Sequence, residues 1–301
     1  MSELSFDVSA DESGRRLDVV LAARAGISRT IAATLNVLVD GHQAAKSLRV
    51  EAGQRVRATL PPEAIAEPQP EAIDVPIVYE DDALLVVSKP AGLVVHPAPG
   101  HPGGTLVNAL LARAGRPAGG EVWRPGIVHR LDAGTSGLMI VAKDEQVYAR
   151  LVAMLSAREV RRTYVALVEG EPSSETATID APIGRSPRHR KKMAVVAGGR
   201  ESVTHYRVLE RLGEVSLLEV RIETGRTHQV RVHLSEIGHA VAGDPVYGRG
   251  RKLAARLGLE RPFLHAARLE LAHPSTGEPL AFEDPIPEDL SRALRIARGA
   301  P

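Results

Sequence analysis

Apolar residues recur at helical spacing in some stretches of the chain and alternate or run on in others, and this pattern predicts its elements. In "RLDVVLAARAG" (16–26), Leu17, Val20 and Leu21 share one face and Gly26 supplies a stop, which predicts a short helix. Ser28 is placed to cap a second one, "RTIAATL". "VLVDGH" reads as a strand ending in an Asp-Gly turn, and "QRVRATL" alternates as a half-buried strand does. Further on, "ALLVVSKPAGLVVHP" predicts two strands around a Lys-Pro-Ala-Gly turn, and "TLVNALLARAG" a helix capped by Thr105 and stopped by Gly115. "GLMIVAK" is a strand, and "DEQVYARLVAML" a helix capped by Asp144 with Val147, Leu151 and Met154 inward. "RRTYVALVEG", "VTHYRVL" and "VSLLEVRI" read as strands. "TGRTHQVRVHLSEIG" is expected to turn helical at Thr227, with Val230, Leu234 and Ile237 inward and Gly238 closing it. Strand pairs with interspersed helices predict an α+β fold: a large domain with a central mixed, largely antiparallel β-sheet flanked by helices and loops, preceded by a small α/β domain.

Composition narrows this picture. At 301 residues, 44% hydrophobic and 25% charged, the chain has the make-up of a soluble globular protein with a sizeable core. It has no cysteine, which excludes disulfides, thiolate metal sites and a cysteine nucleophile. Without a basic-then-apolar leader or a run of roughly 18 apolar residues, the expected location is the cytoplasm. The net charge is only +1, but it is unevenly spread. Residues 14–60 hold eight Lys/Arg against three acids, and residues 61–75, "PPEAIAEPQPEAIDV", hold four acids, four prolines and no Lys or Arg. The expected organisation is therefore a small basic domain over 1–60, an acidic proline-stiffened linker over 61–75, and the large domain over 76–296. "RSPRHRKK" (185–192) packs five Lys/Arg into eight residues. It reads either as a solvated loop or as an arm that contacts phosphates.

Three segments concentrate polar residues beyond what folding requires: "HRLDAGTSG" (129–137), "RRTYVALVEG" around Tyr164, and "ETGRTHQVRVH" around Arg226. Each has a bland reading. Asp132 could cap a turn, Tyr164 could be core, and Arg226 could be a surface ion pair. His129, His228 and His233 have no zinc-site spacing, "GTSG" is not a Walker loop, and Ser136 lacks the nucleophile-elbow pattern. In this order, however, the segments resemble the RNA pseudouridine synthases of the RluA/RluD-like group, which modify large-subunit ribosomal RNA. "SKPAGLVVHP", "GIVHRLDAGTSGLMIVAKD", "RRTYVALVEG", "IETGRTHQVRVHLSEIGHAVAGDPVYG" and "HAARLELAHPSTGEPLAFEDPIPEDL" carry the resemblance, over about residues 76 to 290.

The resemblance implies an isomerase that detaches uracil from ribose, rotates it and rejoins it through carbon 5. It implies RNA, most readily 23S ribosomal RNA or the assembling large subunit, as the partner, and no cofactor or metal; a monomer is the default expectation, with the oligomeric state open. Asp132 matches the essential carboxylate. Unlike a hydroxyl, an aspartate is already charged near neutral pH and needs orienting rather than deprotonating. Arg226 matches the arginine that would pair with it. Tyr164 matches the tyrosine that stacks on the base and takes the carbon-5 proton. Arg130 matches an arginine that enters the gap left by the flipped uridine. His129 and Thr135 flank these as RNA contacts, with Arg15, Arg16, Arg29, Lys46, Arg188, Arg190, Lys191 and Lys192 as basic ones. The small domain resembles one shared with a ribosomal protein, but "SRTIAATLNVLVDG" shortens its second helix and lacks a glycine usual there. Two alternatives stay open on the residues alone: a non-catalytic ribosomal RNA binding or assembly factor of the same fold, and a hydrolase that frees the base.

Overall fold

A computed structural model describes residues 2–27, 29–60, 68–97, 102–114, 125–187, 189 and 192–299. Two compact units emerge: residues 1–73 with 96–126, and residues 74–95 with 127–301. The second is thus discontinuous, and the expected boundary at residue 75 misses the return of the 96–126 segment to the first unit.

In the first unit, β1 (Ser2–Asp7), β2 (Val37–Val39), β3 (His42–Gln43) and β4 (Arg55–Leu60) form an antiparallel sheet in the order β1-β4-β2-β3. β4 alternates as expected and buries Val56, Ala58 and Leu60. α1 (Leu17–Ala25) lays Leu17, Val20 and Leu21 on that core and stops at Gly26, whose φ of 63° is the left-handed turn glycine makes easily. α2 (Arg29–Ala32) is a single turn, in keeping with the shortened sequence there; its expected cap, Ser28, lies outside the described residues. β1 was not expected. It alternates too, and it pairs with β4 from Ser2↔Leu60 to Asp7↔Arg55. α3 (Leu106–Ala114) begins at Thr105, whose hydroxyl donates to Asn108 Oδ1 at 2.5 Å. Its expected stop, Gly115, is outside the described residues.

The second unit is built on a nine-stranded sheet. Its strands are β5 (Ile77–Glu80), β6 (Leu84–Lys89), β7 (Ser136–Ala142), β8 (Arg161–Glu169), β9 (Thr176–Asp180), β12 (Val203–Arg211), β13 (Val215–Ile222), β14 (Leu264–Ala272) and β15 (Pro279–Glu283). The order is β5-β6-β7-β14-β8-β13-β12-β9, with β15 on β14; β7–β14 is parallel and the other pairings are antiparallel. β10 (Ile183–Arg185) and β11 (Met193–Val195) form a separate hairpin. β7 is buried along its whole length, which is why it reads as an unbroken apolar run. α4 (Glu145–Ser156) is capped by Asp144, which accepts the Val147 N–H at 2.8 Å, and buries Val147 and Leu151 against β7. α6 (Arg251–Arg256) and α7 (Glu288–Ala297) cover a second core around Leu167, Leu217 and Phe263.

Two expectations fail locally. Residues 93–97 form no strand; at their start the Leu93 carbonyl turns to accept the Lys89 ammonium at 2.9 Å. α5 (Gln229–Glu236) starts two residues after Thr227, because the Gln229 side chain closes the preceding turn by accepting the Arg226 N–H at 3.0 Å. Val230 and Leu234 are buried as expected, but Ile237 is 38% exposed and Arg231 lies inward.

Candidate active site

The register of three strands sets the site. Gly137 of β7 pairs with Ala266 of β14, and Ala266 also pairs with Tyr164 of β8. The turn carrying Asp132 therefore ends one strand away from Tyr164. This contact admits only glycine at 137, where φ is 115° and a Cβ would lie 2.3 Å from the Ala266 carbonyl oxygen.

The turn itself is held from below. The Thr135 N–H donates to the Asp132 carbonyl at 3.0 Å, and the Gly92 N–H to the Ala133 carbonyl at 2.8 Å. Lys89, fully buried, donates from Nζ to the carbonyls of Pro90 (2.8 Å), Leu93 (2.9 Å) and Ala133 (3.2 Å). Three acceptors match the three donors of an ammonium. Burial nonetheless lowers the Lys89 pKa to about 7, against the pull of nearby Asp132. Ser136 donates to His265 Nδ1 at 3.0 Å, because His265 Nε2 is taken by the Asp284 carbonyl. Both residues are buried, so this pair braces the turn rather than meeting a substrate. The bland reading of "GTSG" as a scaffold thus holds for those residues.

Asp132 is held from the side by an arginine, but not by Arg226. Arg231 donates from Nη1 to Asp132 Oδ2 at 2.9 Å, and grips Asp244 through Nε (2.7 Å) and Nη2 (2.9 Å). Arg226 points away, with Nε donating to the Glu201 carbonyl at 2.9 Å. The reason is helical position: Arg226 sits in the turn before α5, whereas Arg231 is in its first turn on the buried side. Burial works to lower the Arg231 pKa, but hydrogen bonding to Asp244 and the charge of Asp132 more than reverse it, so the guanidinium stays charged. Asp244 is further fixed by the N–H groups of Val246 (2.8 Å) and Tyr247 (3.1 Å). Neither Arg231 nor Asp244 is among the expected site residues, although an arginine among the apolar residues of "QVRVHL" and an acid inside the Gly-Asp-Pro turn mark them in the sequence.

Tyr164 is 5% exposed and lies within the field of Asp132; burial raises its pKa, partly countered by Arg162. Arg130 is exposed and donates to the Thr227 hydroxyl, so it stands at the rim near α5. His129 accepts the Ile140 N–H through Nε2 at 3.0 Å, and burial holds its pKa at about 3, which makes it a neutral brace of β7. Thr135 is buried, and its hydroxyl has no hydrogen-bond partner among the described residues. Lys192 donates to the Val246 carbonyl at 2.7 Å and lies over the Tyr247 ring. Arg188, Arg190 and Lys191 lie outside the described residues. In the first unit, Arg16 and Arg29 both pair with Asp18, while Arg15 and Lys46 are exposed.

The sequence profile of the RNA pseudouridylate synthase family matches residues 83–236, a span that contains Asp132, Tyr164 and Arg231. The chain belongs to this family. It is 50% identical to an uncharacterized RNA pseudouridine synthase of Chloroflexus aurantiacus, over 96% of this chain and 92% of the relative. It is 45% identical to ribosomal large subunit pseudouridine synthase D of Xanthomonas campestris, over 95% of this chain and 90% of that one. Among solved structures, human RNA pseudouridylate synthase domain containing 4 superposes with a TM-score of 0.59 at 27% identity, covering 74% of this chain and 93% of that chain. As an RNA pseudouridylate synthase the protein is an isomerase acting on RNA, and its α+β fold with a large mixed sheet is that of the family.

Proposed function

We propose that this protein converts particular uridines of large-subunit ribosomal RNA to pseudouridine, acting as a monomer in the cytoplasm with Asp132 as the reacting carboxylate. The names borne by relatives at 44–49% identity support the choice of RNA. The observation that carries the assignment of Asp132 is its asymmetry: Oδ2 is tied to Arg231, while Oδ1 accepts no hydrogen bond among the described residues and lies 4.0 Å from His228 Nε2. One oxygen orients and the other faces the substrate.

In this reading the uridine leaves its stack, at a cost of a few kcal/mol, and Arg130 at the rim fills part of the gap. Asp132 then acts on the nucleotide, at ribose or at the ring, and uracil is detached, rotated and rejoined through carbon 5. Tyr164 packs against the base. A buried phenol whose pKa is raised keeps its proton near neutrality and accepts another poorly. Its role here is therefore to stack on the base.

The test uses RNA tritiated at carbon 5 of uridine. Tritium release without free uracil is expected, and Asp132→Asn should abolish it while RNA affinity stays within about tenfold, or about 1.4 kcal/mol. Full release by that variant would remove Asp132 from the mechanism. Free uracil would mean hydrolysis, and neither product across several RNAs would mean a binding protein.

A further inference from the structure

One polar group beside Asp132 has no part in the mechanism above. His228 sits at the N-terminus of α5 with φ 57° and ψ 22°, a left-handed conformation that a residue of its kind adopts infrequently, and its side chain caps nothing. The ring instead turns into the site. Its Nδ1 is 2.9 Å from the Tyr247 hydroxyl, and its Nε2 is 4.0 Å from Asp132 Oδ1, the oxygen that Arg231 does not hold.

The hydrogen bonds decide where the ring proton lies. The Tyr247 hydroxyl already accepts the Met193 N–H at 3.0 Å, and burial raises its pKa, so it keeps its own proton. Among the described residues, the acceptor in reach of that proton is His228 Nδ1. With Nδ1 accepting, the single proton of a neutral imidazole is on Nε2 and faces the site. The ring is neutral near pH 7, because burial lowers its pKa despite Asp132 and Asp244, with Arg231 and Arg130 acting in the same direction as burial. A cation there would pair with Asp132; a neutral N–H leaves Oδ1 open. At 4.0 Å the donor and the carboxylate do not hydrogen-bond each other, and among the described residues the N–H has no other acceptor, so it is available to a substrate atom beside them.

Uridine isomerisation supplies such an atom. When the bond from N1 to ribose breaks, its electron pair stays on the ring and spreads onto the carbonyl oxygens. Turning the ring about the axis through N3 and C6 exchanges N1 with C5, and it also exchanges O2 with O4. A stationary donor beside the ribose therefore meets a carbonyl oxygen before and after the turn. We propose that His228, fixed as its Nε2–H tautomer by Tyr247, donates a hydrogen bond to the uracil oxygen next to the reacting bond, O2 on detachment and O4 on rejoining. No proton is transferred by His228. The inference rests on the isomerase reading, and it makes His228 a catalytic hydrogen-bond donor and Tyr247 a positioning residue.

The test compares His228→Asn, His228→Gln and Tyr247→Phe with wild type in single-turnover tritium release and in RNA affinity, with thermal midpoints as a check on folding. Asparagine tolerates the left-handed backbone but places its amide near the old Nδ1, whereas glutamine can place an N–H near the old Nε2. Loss of one fixed donor predicts about a hundredfold lower rate for His228→Asn at affinity within about threefold. His228→Gln should recover about tenfold of that, and Tyr247→Phe should lose about tenfold. Wild type releasing tritium while His228→Asn stays within about threefold of it would overturn this proposal alone. So would glutamine behaving no better than asparagine at equal thermal midpoints. Wild type releasing no tritium would overturn the isomerase reading and this proposal with it.

Discussion

Two aspartates in this molecule are held by arginines in opposite senses. Asp18, in the first unit, is the buried partner: its side chain is 7% exposed, and Arg16 and Arg29, at 45% and 55%, reach in from solvent. At Asp132 the arginine is the buried partner, with Arg231 at 7% and the carboxylate at 21%. Both oxygens of Asp18 are engaged, by Arg16 on each and by Arg29 on Oδ2. Asp132 Oδ1 accepts no hydrogen bond among the described residues. The pairing differs as well: two arginines pair with Asp18, whereas Asp132 and Asp244 share Arg231. A carboxylate tied down on every side stabilises a fold. One that is steered by a buried cation on one oxygen, with the other not engaged, is suited to chemistry.

The sharpest way to break this comparison is to remove the shared cation. Arg231→Gln leaves Asp244 buried without its partner and should cost about 3–5 kcal/mol of stability, with tritium release lost. Arg231→Lys keeps the charge but cannot span three carboxylate oxygens in a fixed plane, so it should fold with release slowed about a hundredfold. Arg226→Gln should stay within about fivefold of wild type, because its guanidinium serves the Glu201 carbonyl. Urea melts and single-turnover release on the three variants decide it. Equal losses at 226 and 231 would mean that the turn before α5 rearranges to bring Arg226 to Asp132.

A smaller effect separates the structural aspartate from the reactive one. Asp18→Asn should cost about 1–2 kcal/mol near neutral pH and leave the chemical step unchanged. The hydrogen bond from Arg16, set against burial, depresses the Asp18 pKa in the folded protein. Below its unfolded value the unfolded chain binds the proton more readily, so the stabilisation is present above that value and is lost as pH falls through the folded one. The gap between wild type and Asp18→Asn should therefore close on acidification from pH 7, in denaturant melts at successive pH values. A gap that persists at pH 2 would mean that Asp18 acts through packing rather than charge.

What the chain discloses before folding follows from whether an interaction is local. β7 and α4 were legible because an apolar run, and an Asp cap followed by a buried stripe, depend on neighbours in sequence. Asp132 and Tyr164 stood out through motif order. The partner of Asp132 did not, because choosing between Arg226 and Arg231 needs the starting residue of α5, and a glutamine side chain sets that residue by closing the turn before it. Lys89 was hidden for a related reason: its three acceptors are carbonyls, one of them 44 residues away, and carbonyls leave no mark in a sequence. The polar count of the first unit misled in a milder way. Arg16, Arg24, Arg29 and Arg55 looked like free positive charge, yet each is paired with an acid of the same unit.

That last point yields the smallest predicted effect and the finest test of the contrast. Arg15 and Lys46 are exposed and have no ion pair among the described residues, whereas Arg16 and Arg29 already serve Asp18. A phosphate reaches Arg15 or Lys46 without displacing a hydrogen-bonded carboxylate, but for Arg16 it must displace Asp18. Each cation that contacts a phosphate adds about one unit to the slope of log affinity against log salt. Arg15→Gln with Lys46→Gln should lower that slope by up to about two units and leave melting unchanged. Arg16→Gln with Arg29→Gln should lower melting and move the slope by less than about one unit. Titration of a ribosomal RNA fragment at several salt concentrations reads both. If the Arg16/Arg29 pair carried the larger slope change, RNA would be recruiting the arginines away from Asp18, and the structural aspartate would itself be part of the RNA-binding equilibrium.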